Sequence, residues 1–86
     1  MTKYEQYLAR GRVQHGERFN PPAPAGEFVD AFNSGERVTV QFGYGETLKG
    51  TISITTGWAP VFLLMRTKRS LGSSDTINPD RDRIVR

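Results

Sequence analysis

Residues 36–55, ERVTVQFGYGETLKGTISIT, change the chain's apolar period from that of a helix to that of a strand. Val38, Val40 and Phe42 alternate with Arg37, Thr39 and Gln41. After Gly43-Tyr44-Gly45-Glu46, the residues Leu48, Gly50, Ile52 and Ile54 alternate with Thr47, Lys49, Thr51, Ser53 and Thr55. Successive side chains of a strand point to opposite faces, so each run reads as a strand. The glycine-rich tetrapeptide between them reads as a tight connection.

Working outward toward the C-terminus, Thr56-Gly57-Trp58-Ala59-Pro60 turns the chain again. Residues 61–65 are apolar on both parities, as expected of a central strand covered on both faces. Arg66-Thr67-Lys68-Arg69 carries that strand into solvent, and Ser70-Leu71-Gly72-Ser73 is the next turn. A short strand is expected at residues 74–77, a single helical turn at 78–82 and a last short strand at 83–86. Five short strands with a helical turn between the fourth and fifth is the order of an SH3-like barrel. Closure also removes the two sticky edges that an open sheet of this size would present.

Working outward toward the N-terminus, Asn33-Ser34-Gly35 terminates a short helix over residues 26–33, since glycine takes the left-handed conformation of a C-terminal cap. Glu27 sits near the positive end of that helix, and Phe28, Val29 and Phe32 make its apolar stripe. Upstream, Asn20-Pro21-Pro22-Ala23-Pro24 is an extended connector. Thr2-Lys3-Tyr4-Glu5 is a capping box that opens a first helix, with Tyr4, Tyr7 and Leu8 on one face. Gly11 weakens this helix and Gly16 ends it. The expected fold is mainly β in an α+β chain: a five-stranded SH3-like barrel preceded by one or two short N-terminal helices. Residues 1–24 form the first helix and its proline-rich connector, and residues 25–86 the short helix and the barrel.

Composition bounds the function. Eighty-six residues make one domain. A chain this short buries only about 60% of its unfolded surface. The absence of cysteine excludes a disulfide framework and thiolate chemistry. No apolar run approaches the roughly 20 residues of a membrane-spanning helix, and residues 1–5 lack the apolar core of a signal peptide. A cytoplasmic protein with no membrane contact is expected. Charge divides unevenly. Before Arg37 the chain holds Lys3, Arg10, Arg12 and Arg18 against Glu5, Glu17, Glu27, Asp30 and Glu36, a net −1. From Arg37 onward Arg37, Lys49, Arg66, Lys68, Arg69, Arg81, Arg83 and Arg86 face Glu46, Asp75, Asp80 and Asp82, a net +4. A basic barrel behind a near-neutral leader favours a polyanionic partner.

The run Gly35-Glu36-Arg37-Val38-Thr39-Val40, with Gly43, Gly50 and Ile52 beyond it, resembles the KOW-type barrels of ribosomal proteins and transcription elongation factors. Thr47 stands where that pattern usually has a glycine. The resemblance implies a small barrel with glycine at the turn (Gly43) and at a close strand approach (Gly50), and contact with nucleic acid or a nucleoprotein complex. The tight first hairpin lacks the long loop with which SH3 domains take proline-rich peptides, which points to the KOW or Tudor style. Residues 57–66, GWAPVFLLMR, with Gly72-Ser73-Ser74, resemble small proteins encoded by phages of actinobacteria, which implies work in an infected host's cytoplasm and host partners.

The candidate nucleic-acid contacts are Lys49, Arg66, Lys68, Arg69, Arg81 and Arg83, with the loop aromatics Trp58 and Tyr44 as stacking platforms. Trp58 has a second reading, a ring folded over the barrel's end as a lid. The arginines have one too, as solvated strand ends paired with Asp75, Asp80 or Asp82. Arg10, Arg12, His15 and Arg18 form a basic stretch that is either an arm along nucleic acid or an exposed helix face. No enzyme is expected: the only histidine lies in the leader, and Ser73-Ser74-Asp75 lacks the glycine-flanked elbow of a nucleophile. No metal site, cofactor or small-molecule substrate is expected, because carboxylates with calcium-loop spacing and a strand-to-helix phosphate loop are absent. The leading expectation is a non-enzymatic module contacting nucleic acid or a nucleoprotein complex. The competing one is a protein–protein adaptor or homodimer using Tyr4, Tyr7, Leu8, Phe28 and Phe32 as an apolar surface.

Overall fold

The computed structural model describes residues 1–22, 24–66 and 74–85. The turn expected at residues 70–73, and Lys68, Arg69 and Arg86, lie outside the described residues. The order is α1 (Lys3–His15), a 3-10 turn (Gly16–Arg18), α2 (Gly26–Ser34), β1 (Arg37–Gln41), β2 (Thr47–Ile54), β3 (Phe62–Met65), β4 (Ser74–Ile77) and β5 (Arg83–Val85). The strands form one antiparallel sheet in the order β4-β3-β2-β1-β5. β4 and β5 stand at its two edges, with no ladder between them among the described residues. Among those residues no helix is long and apolar enough to cross a membrane.

α1 starts as its capping box requires. The Glu5 backbone N–H donates to Thr2 Oγ1 at 3.2 Å, and the Thr2 N–H donates to Glu5 Oε1 at 3.3 Å. A third orphan donor, the Tyr4 N–H, is taken at 2.8 Å by Oδ1 of Asn33 from the last turn of α2. Gly16 ends the helix at φ 58°. Gly11 has a packing role: it is buried, and a Cβ there would collide with the Phe19 ring. The aromatic face of α1 packs inward, with Tyr4 and Tyr7 each 6.3 Å edge-on to Phe32 of α2. α2 ends on Gly35 in the left-handed region (φ 71°) and sets Phe28 against Phe62 of β3, 5.8 Å between ring centroids. Val38, Val40, Phe42, Ile52, Ile54, Phe62, Leu64, Ile77 and Ile84 complete this core from the sheet side. Fully burying a side chain such as Phe28 or Phe62 contributes about 1.5–3 kcal/mol.

β2, not β3, is the central strand, which corrects the sequence expectation for residues 61–65. β3 lies one strand in from the β4 edge, and Val61 precedes it, 38% exposed. Phe62 and Leu64 are buried while Leu63 and Met65 are half-buried, so one face of β3 carries the core. Apolar residues on both parities therefore describe partial cover on the second face. β2 also divides its pairing. Thr47 to Thr51 pair with β1, and Thr51 to Ile54 pair with β3. At the crossover the Met65 carbonyl packs so close to Gly50 that a Cβ would collide with it.

The β1–β2 turn corrects the expectation for Gly43, whose φ is not positive. Gly45 holds the left-handed conformation, at φ 102°. Gly43 is needed for room instead, because the aliphatic part of Arg81 lies where its Cβ would be.

Candidate nucleic-acid interface

The register of β1, β2 and β5 assembles the outward side chains into one array. Directly opposite residues in antiparallel strands share a face. Thr39 lies between Lys49 and Val85, Gln41 between Thr47 and Arg83, and Arg37 beside Thr51. Arg37, Gln41, Thr47, Lys49, Arg83 and Val85 are exposed, and Thr39 and Thr51 half-buried. The inner positions of the same strands feed the core, so this polar set is what alternation leaves facing water. The array holds three cations, four hydroxyl or amide side chains and no carboxylate. No ion pair to Arg37, Lys49 or Arg83 occurs among the described residues. Lys49 and Arg83 sit two strands apart, about 10 Å across the sheet. Two surface grooves follow β1 over this face, one lined by Gln41, Gly45, Arg81 and Arg83, the other by Arg37, Thr39, Lys49 and Val85, with Glu36 also on its wall.

A buried carboxylate fixes one end of the face. Asp82 is 2% exposed and accepts hydrogen bonds from the Gly43 N–H at 2.7 Å and the Asn78 N–H at 2.9 Å. Arg81 grips it through Nε at 2.8 Å and Nη2 at 3.1 Å. Burial pushes the Asp82 carboxyl up, but the bonds from Arg81, Asn78 and Gly43 outweigh it and hold the group below its ordinary range. The Arg81 guanidinium also lies 5.5 Å from the centroid of the Tyr44 ring, which stacks on Phe42 at 5.3 Å. Partial burial, then the Glu46 and Asp75 carboxylates, raise the Tyr44 phenol. Asp82 thus ties the β1–β2 turn to the turn before β5, and so sets where Arg81 and Arg83 emerge.

The expected site residues divide into three groups. Lys49, Arg81, Arg83 and Tyr44 come together on or beside the β1–β2–β5 face. Arg66 follows β3 and is held in an ion pair with Asp75 of β4 at 3.0 Å, and Lys68 and Arg69 lie outside the described residues. Trp58 occupies the β2–β3 loop, 53% exposed, with the Arg18 guanidinium 5.7 Å from its ring. The ring does not close over the core as a lid. Of the proposed partner surface, Tyr4, Phe28 and Phe32 are buried, and Tyr7 and Leu8 pack half-buried against the same core. In the basic leader, Arg12 falls in the last turn of α1, where the helix dipole favours cations, and His15, in the same turn, stacks on Phe19 at 6.0 Å. Among the described residues no three histidine or carboxylate side chains converge to hold a metal ion.

Arg37 belongs to the face although sequence reasoning passes over it. Its parity with Thr39 and Gln41 is the signal that finds it, once Lys49 is known to stand across from Thr39. No protein-family model, no curated protein and no solved structure matches the chain.

Proposed function

We propose that the chain is a non-enzymatic binding module of the SH3-like barrel type, and that its β1–β2–β5 face contacts the phosphate backbone of nucleic acid. The barrel reading is supported by the strand order, by the turn at residues 78–82 between β4 and β5, and by the divided pairing of β2 around Gly50. A strand that serves β1 with one half and β3 with the other coils the sheet and brings its two halves face to face.

One observation carries the functional reading: Arg37, Lys49 and Arg83 stand on one sheet face among hydroxyl and amide side chains, with no ion pair to them among the described residues and with the nearby carboxylates, Glu36, Glu27 and Asp80, at its margins. Cations held apart on a rigid sheet meet successive phosphates and release counterions, and the threonines and Gln41 add hydrogen bonds to phosphate oxygens. A protein partner matched to this face would need a comparably anionic surface, whereas every nucleic acid has one. Of the apolar residues an adaptor would use, Tyr4, Phe28 and Phe32 are buried in the chain's own core and Tyr7 and Leu8 pack half-buried against it. In keeping with the resemblance to small phage proteins, we set the contact in the cytoplasm of an infected host.

The test is fluorescence anisotropy with labelled DNA and RNA oligonucleotides at low salt. Binding that the triple variant Arg37→Ala/Lys49→Ala/Arg83→Ala loses, while keeping its circular dichroism spectrum, is the expected result. A triple variant that binds as tightly as the parent would refute the assignment of this face.

A further inference from the structure

Trp58 is exposed on a loop whose backbone is held at three points. The Thr55 N–H donates to the Val61 carbonyl at 3.0 Å, and the Val61 N–H donates to Thr55 Oγ1 at 2.8 Å. Between these clips the Trp58 carbonyl accepts the Asn20 N–H at 2.6 Å, and Gly57 makes the turn at φ 116°. A buried tryptophan removes about 150–250 Å² of surface from water. In a chain with so small a core, this residue is nonetheless 53% exposed. A single exposed apolar side chain is ordinary. One carried on a backbone held at three points, with a guanidinium over its ring, is better explained by a ligand.

The surroundings specify that ligand. The Arg18 guanidinium lies over the ring, and the neighbouring groove is lined by Arg10, His15, Phe19 and Gly57. Arg18 over the ring and Arg10 in the neighbouring groove disfavour a cationic guest and suit a planar group that carries negative charge beside it. A nucleobase with its flanking phosphates has that chemistry, and every base has a face to stack. Glu17 is the one carboxylate adjoining Arg18 in sequence, and no ion pair to it occurs among the described residues. Bases within a duplex are stacked on each other and offer only their edges. We infer that Trp58 is a stacking platform for an unpaired base, which makes single-stranded nucleic acid the preferred ligand. This rests on the nucleic-acid reading of the β1–β2–β5 face and adds a second contact to it. The molecule's longest extent is 36 Å, so one strand can reach both contacts, and small barrels cover about 4–16 nucleotides.

Trp58 is the only tryptophan, so its fluorescence reports its own environment. Titration with a twelve-nucleotide single strand should quench that emission saturably and shield it from acrylamide. The matching duplex should leave it nearly unchanged. Trp58→Ala should weaken single-strand binding about 5- to 100-fold with duplex binding within about twofold, and Trp58→Phe should recover much of the loss. If Trp58→Ala binds the single strand like the parent, while the Arg37/Lys49/Arg83 variant does not, the stacking inference falls and the face reading stands. If the parent binds no oligonucleotide at low salt, both fall. Should Trp58→Ala fail to fold, an emission unmoved by bound single strand in the parent overturns the inference by itself.

Discussion

Asp82 shows how one side chain can set a surface it does not belong to. Its carboxylate satisfies two backbone donors from different turns and orients Arg81. Asp82→Ala leaves the Gly43 and Asn78 N–H groups without their acceptor, and should cost about 2–4 kcal/mol in urea denaturation. The pH dependence has a definite sign. The folded carboxyl titrates below its unfolded counterpart, so its stabilisation is complete above the unfolded value of about 4 and is lost as pH falls through the folded value. The parent's melting temperature should therefore fall on acidification below about pH 4, and that of Asp82→Asn should fall less steeply. Gly50 is a second such residue. Gly50→Ala must displace the Met65 backbone, and a loss of about 1–3 kcal/mol or more is expected from thermal melting. A loss under about 0.5 kcal/mol would mean that β2 and β3 do not approach so closely there.

At the scale of elements, what could be read from the sequence was whatever is local to one segment. The capping box at Thr2, the left-handed cap at Gly35, the alternation around residues 43–46 and the short strands near the C-terminus all rest on interactions within a few residues. What could not be read depends on partners distant in sequence. Residues 61–65 look central because both parities are apolar, yet a strand's place in the sheet is set by its neighbours. Gly43 and Gly45 are alike on paper, and only the arrival of Arg81 gives Gly43 a different reason from that of Gly45. The cationic face is legible only in part for the same cause: Lys49 and Arg83 are candidates on paper and Arg37 is not, and the three come from different strands and meet only through the register. The first helix illustrates both kinds. Its start is local, and Thr2→Ala should cost about 0.5–2 kcal/mol. Its worth is tertiary, since Tyr4 and Tyr7 pack on Phe32. Removing residues 1–20 should therefore lower the melting temperature and increase binding of a hydrophobic dye, whereas a truncated chain that melts like the parent would show α1 to be dispensable.

For the whole molecule, a net charge of +3 is too small to bind polyanions by general attraction alone, so the distribution of charge decides. Arg66 is paired with Asp75 and Arg81 with Asp82, while Arg37, Lys49 and Arg83 face solvent together. Neutralising a phosphate of a single strand contributes roughly −0.7 to the slope of log Kobs against log salt concentration. Three such contacts on one face give a slope of about −2. The most direct measurement is that slope for a single-stranded oligonucleotide, in the parent and in Arg37→Ala/Lys49→Ala/Arg83→Ala. The expected result is a slope steeper than about −2 or close to it in the parent, falling toward zero in the variant. A parent that does not bind at low salt, or a variant that keeps the parent's slope, would contradict the assignment of this face to nucleic acid.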